Sequence, residues 1–84
     1  MHGREDKMLE QLRETAGLGG PAAGLANELL VLQDQFTSGQ LTREEFEFLV
    51  SEIANIRAQQ ELASDEMACR FIIESAKNIL SMVA

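Results

Sequence analysis

Apolar residues crowd most densely between positions 64 and 83. There Met67, Ala68, Cys69, Phe71, Ile72, Ile73, Ala76, Ile79, Leu80, Met82 and Val83 cover most of the circumference of a helix at about 100° per residue. A narrow polar stripe is left, through Glu66, Arg70, Glu74, Lys77, Asn78 and Ser81. Steps of three and four residues pair Glu66 with Arg70, and Glu74 with Lys77, on that stripe. A helix this apolar is not stable alone in water, so the rest of the chain, other copies of it or a partner must wrap it.

The earlier segments are more modest. Met1 to Gly3 read as a disordered leader. Residues 4–16 predict a first helix with a short stripe of Met8, Leu9, Leu12 and Ala16. Three turns with so little apolar surface are marginal in water, so weak attachment is expected. Residues 17–24 hold four glycines and the only proline and read as a joint, with Pro21 in the first turn of the next helix. The run Gly17 to Ala22 spells Gly-x-Gly-x-x-Ala, but the dinucleotide fingerprint needs a strand before it, and here a helix precedes. No cofactor site is assigned.

A second helix is expected over residues 21–36, with Leu25, Leu29, Leu32 and Phe36 in helical spacing and Leu30 and Val31 widening the stripe. Gly39 supplies the left-handed residue that ends it, and Leu41 folds back to seal the turn. Thr42-Arg43-Glu44-Glu45 is the strongest local signal: Thr42 at the cap and Glu45 three residues on form a capping box, so a third helix begins at Arg43. Its stripe is Phe46, Leu49, Val50, Ile53 and Ile56, weakening through Gln59, Gln60 and Glu61 toward Leu62. Phe48 falls on the opposite face beside Glu52, Asn55 and Gln59, a candidate contact with another molecule. Because no glycine or proline follows Gly39, the last two helices are either one rod of about 60 Å or break at Ala63 and Ser64. A break is expected, with Ser64 as cap and Asp65 and Glu66 in the first turn. A regular heptad fails at Gln60 and Arg70, which disfavours a long coiled coil.

The fold class expected is therefore all-α: a small bundle of three to four helices with a central αα-hairpin and a highly apolar C-terminal helix. Residues 1–16 form the weakly attached helix, 17–24 the joint and 25–84 an oligomerisation or interaction domain. Residues 29–56 resemble the short two-helix SHOCT domain through Leu29, Leu32, Gly39, Leu41, Thr42, Glu44, Glu45, Phe46 and Glu47. That resemblance covers about a third of the chain and implies a role in oligomerising or in holding protein partners. The same turn is similar to an EF-hand loop, with Asp34, Ser38, Gly39, Thr42 and Glu45 at matching positions, but Phe36 offers no oxygen at the third.

Charge and composition narrow the function further. Seven basic against fourteen acidic residues give a net charge of −7, which disfavours nucleic-acid phosphates and anionic membranes as partners. The apolar runs are too short to span a bilayer, and the expectation is a soluble, cytoplasmic protein. With no tryptophan or tyrosine, aromatic stacking platforms are hard to build. The single cysteine, Cys69, reads as a small hydrophobe in a reducing compartment, far from the only histidine, His2. Glu44-Glu45 and Asp65-Glu66 are sequence neighbours that point to different sides of a helix, and no metal-ligand spacing, phosphate loop or catalytic triad assembles. No metal site and no enzyme activity are assigned.

The function expected is a non-catalytic helical interaction module that self-associates, of the adaptor or viral assembly and scaffolding type. Its interface candidates are Phe48, Met67, Phe71, Ile72, Ile73, Ile79, Leu80, Met82 and Val83, with Gly39, Thr42 and Glu45 as helix-capping positions. Two other readings stay open: an acidic mimic of nucleic acid that blocks a DNA-binding protein, and a degenerate EF-hand-like module that responds to calcium.

Overall fold

Two backbone devices make the turn at the centre of the chain. Gly39 sits at φ +83°, and around it the Gln40 N–H donates to Gln35 O at 2.8 Å and the Gly39 N–H to Phe36 O at 3.1 Å. This pair of bonds is a Schellman motif, which satisfies carbonyls that the helix end leaves free. Three residues later the Glu45 N–H donates to Thr42 Oγ1 at 3.1 Å while the Thr42 N–H donates to Glu45 Oε1 at 2.9 Å, a complete capping box. Between the two devices Leu41 turns partly into the core.

The computed structural model describes residues 3–83, and within them the protein is all-helical, without strands. The order is α1 (Gly3–Leu18), α2 (Ala23–Thr37), α3 (Arg43–Glu52), a π-helical segment (Ile53–Arg57), α4 (Ala58–Glu61) and α5 (Glu66–Val83). Helical dihedrals continue through Glu52, Ile53, Arg57 and Ala58, so α3, the π segment and α4 make one rod. The chain is thus a bundle of four helices, with a radius of gyration of 12.0 Å, about that of a folded domain of its length. Met1 and His2 of the expected leader lie outside the described residues, whereas Gly3 opens α1.

The core draws on every helix. Leu12 of α1, Leu25, Ala26 and Leu29 of α2, Phe46, Val50, Ile53, Ala54 and Ala58 of the rod, and Ile72, Ala76 and Ile79 of α5 are all buried in one cluster. The Phe36 and Phe46 rings stack with centroids 4.5 Å apart, just beyond the turn that separates α2 from α3. Helix α1 lies along α2 with Leu12 wholly buried, so the first helix is docked here rather than loose. The stripe of Met8, Leu9 and Ala16 flanks Leu12 and is partly buried with it. The glycine joint is also shorter than expected: Gly17 and Leu18 belong to α1 and Gly24 to α2, which leaves residues 19–22. Gly19 and Gly20 make that bend at φ +79° and +90°.

Two further expectations are corrected. The rod does end near Ala63 and Ser64, but the cap of α5 is Asp65, whose carboxylate accepts from the Ala68 N–H at 3.1 Å. An aspartate adds its charge to the cap's hydrogen bond at the positive end of the helix dipole, which favours it over the neighbouring serine. Ile56, expected on the core stripe, is 48% exposed, and Ala54 and Ala58 are buried instead. The cause is the π turn. The Ala58 N–H donates to Ile53 O, five residues back, so one extra residue enters that turn and shifts everything after it around the axis.

Candidate functional site

The π turn organises the surface of the rod as well as its interior. Buried residues follow Ile53's flanks in steps of four: Phe46, Val50, Ala54, Ala58 and Leu62. In a straight α-helix each such step drifts by about 40°, and four of them would carry Leu62 out of the core. The wider turn takes back much of that drift and keeps the row on one side. The same geometry straightens the opposite row, Glu44, Phe48, Glu52, Ile56 and Gln60. Along it Phe48 is 66% exposed and Ile56 48% exposed, an unusual pair of large apolar side chains on one outward line. Their eight-residue separation corresponds to about 12 Å along the axis. Glu44 and Glu52 alternate with them and form no ion pair among the described residues.

The cation that follows Ile56 in the chain is engaged elsewhere. Arg57, inside the π segment, meets Glu28 of α2 with two parallel bonds, Nη1 to Oε1 at 2.5 Å and Nη2 to Oε2 at 2.7 Å, and its Nε donates to Glu61 at 3.0 Å. The hydrogen bond to Glu28 is the main reason the guanidinium pKa rises above its ordinary value; burial works against it and Glu61 adds to it. No simple sequence rule links positions 28 and 57. The only legible part was the four-residue step from Arg57 to Glu61.

Helix α5 offers a second surface. Its polar stripe of Glu66, Arg70, Glu74, Lys77, Asn78 and Ser81 is exposed throughout. Arg70 pairs with Glu66 at 3.4 Å, while Glu74 and Lys77 form no ion pair among the described residues. Among the interface candidates, Ile72 and Ile79 are wholly buried in the chain's own core and are unavailable to a partner. Their four- and three-residue spacing about Ala76 makes them the seam that seats α5. Phe71, Ile73, Leu80, Met82 and Val83 are half-buried, and Met67 is 84% exposed. At about 100° per residue, Ile73 and Leu80 flank one side of the seam and Phe71 and Met82 the other. Ile73 of the first flank lines an open groove against α4, shared with Leu62 and Cys69 and rimmed by Glu66, Arg70, Glu74 and Lys77; Leu80 lies one turn beyond the groove's lining. The Cys69 thiol donates to Ala58 O at 3.5 Å, so it also helps join α5 to the rod.

Among the described residues no three His, Cys, Asp or Glu side chains are placed to hold a metal ion, and Glu45 of the EF-hand-like turn has an oxygen committed to the Thr42 N–H. No helix among them is long and apolar enough to cross a membrane. Gln33 Oε1 is buried without a hydrogen-bond partner among the described residues, beside a cleft between α1 and α2 that Arg13 also lines. Compared with known proteins, the chain matches no family model, no curated protein and no solved structure.

Proposed function

We propose that this protein is a non-catalytic helical interaction module that self-associates through the Ile73 and Leu80 flank of α5. The observation that carries this reading is the character of that flank. After α5 has buried Ile72, Ala76 and Ile79, it still presents partly open apolar side chains. Beside them stand two cations, Arg70 and Lys77, and two anions, Glu66 and Glu74. A surface with an apolar centre and both signs of charge at its rim is self-complementary across a two-fold axis, because each copy supplies the counter-charges of the other. The helical hairpin formed by α2 and the rod then acts as the platform on which α5 is held. Such a unit suits an adaptor or scaffolding role, in line with the oligomerising function that the SHOCT-like resemblance implies.

The test is the absolute mass in solution by light scattering across a concentration series. The intact chain is expected above its monomer mass of 9.3 kDa. Reversing the two exposed cations, Arg70→Glu with Lys77→Glu, is expected to return it to the monomer with unchanged far-ultraviolet circular dichroism. A folded monomer at every concentration overturns the reading.

A further inference from the structure

The outward row of the rod has a different chemistry, and we infer that it binds a basic amphipathic helix of a different protein, with Phe48 and Ile56 seating its apolar face and Glu44 and Glu52 pairing with its lysines or arginines. The inference goes beyond self-association and uses a separate face.

Three observations select this occupant. Phe48 and Ile56 are large, exposed, and aligned only because the π turn rotates Ile56 away from the core. Their separation along the axis is close to that of apolar side chains seven residues apart on one face of a partner helix, the spacing of two turns. Both charges within the row are negative: Glu44 and Glu52 have no ion-pair partner among the described residues, and Arg57 is held by Glu28 and Glu61, while the exposed Arg43 adjoins Glu44 in the chain but stands about 100° round the helix from it. A second copy of the chain is a poor occupant for the same reason. Each copy carries a net charge of −7, and two-fold pairing on this row would set Glu44 and Glu52 against their own kind. A basic helix meets both needs, the apolar anchors and the counter-charge.

The experiment titrates the full chain into a fluorescein-labelled helical peptide of lysine and alanine that carries two leucines seven positions apart, on one face, read by anisotropy. Two control peptides replace every lysine by glutamate, or both leucines by alanine. The lysine-leucine peptide is expected to bind, more weakly as salt rises, and both controls to bind at least tenfold more weakly. Phe48→Ser with Ile56→Ser keeps the net charge and is expected to weaken binding at least tenfold. Glu44→Gln with Glu52→Gln leaves the apolar pair intact, and is expected to weaken binding several-fold and flatten the salt dependence. The α5 variant Arg70→Glu with Lys77→Glu is expected to bind within about twofold of the intact chain. The inference is overturned if the lysine-leucine peptide does not bind, if the glutamate peptide binds as well, or if the serine variant, folded by circular dichroism, binds undiminished. It is equally overturned if the serine variant loses self-association, since the row then belongs to a second copy. Should the serine variant not fold, the glutamine variant decides: unchanged affinity and salt dependence overturn the inference. Light scattering of the α5 variant reports separately on self-association, so failure of one proposal is distinguishable from failure of the other.

Discussion

Arg57 and Glu28 meet fork to fork between the rod and α2, at 2.5 and 2.7 Å, although they lie 29 positions apart in the chain. Both side chains keep contact with solvent, at 32% and 43% of their free exposure, so water screens much of the attraction. Arg57→Lys, which keeps the charge but loses the fork, is expected to destabilise the fold by about 1 kcal/mol. A double-mutant cycle with Glu28→Gln, followed by urea unfolding, checks this: no coupling between the two sites would show that the pair contributes nothing.

The pH dependence of that pair follows from the direction of the arginine shift. Folding raises the guanidinium pKa above its ordinary value, through Glu28 first. A raised pKa means that the contribution is fully present below the unfolded value and is lost only as pH climbs through the folded one. The arginine therefore gives no slope to stability between pH 6 and about pH 10. Urea midpoints of the intact chain and of Arg57→Lys, followed over that interval, are expected to stay separated by a constant amount.

At the central turn, Thr42→Ala removes the acceptor for the Glu45 N–H and is expected to cost about 1 kcal/mol, equivalent to roughly 4–8 °C in Tm for a domain of this size. Glu45→Gln keeps a side-chain oxygen able to accept from the Thr42 N–H and is expected to cost a few tenths of that. Thermal melts of the two variants separate the hydrogen bond from the charge.

Gly39 and Gly24 should respond in opposite ways to alanine. An added Cβ meets nothing within 4 Å at either site, so the difference lies in the backbone alone. Gly39 sits at φ +83°, and alanine there is expected to cost about 1–2 kcal/mol. Gly24 lies in the first turn of α2, where alanine is expected to stabilise by about 0.5 kcal/mol. Equal effects in chemical denaturation would argue against the left-handed cap.

Leu12 tests the docking of α1. It is wholly buried, and Leu12→Ala is expected to destabilise the protein by about 2–5 kcal/mol, as a core truncation does. A loose helix would show almost no change. Ile72→Ser and Ile79→Ser are expected to unfold the chain for the same reason, which makes them unsuitable probes of assembly.

Features that depend on neighbours a few residues apart were legible in the amino-acid sequence. The Thr42-Glu45 capping box, the left-handed Gly39, the start of α3 at Arg43 and the exposed polar stripe of α5 are all of this kind. Each is decided within one or two helical turns, where backbone geometry and side-chain reach leave few alternatives. The remaining features depend on contacts between helices distant in the chain. The burial of Leu12 depends on α2 lying beside it, and the Glu28 fork depends on the rod's position. Ile72 and Ile79 turned out to serve the core because the rest of the chain covers them. Ile56 was misplaced by its own periodicity: a constant 100° step cannot register a π turn, whose extra residue is stabilised by the packing of Ala54, Ala58 and Leu62 on the core side. The outward pairing of Phe48 with Ile56 is the surface consequence of that internal choice.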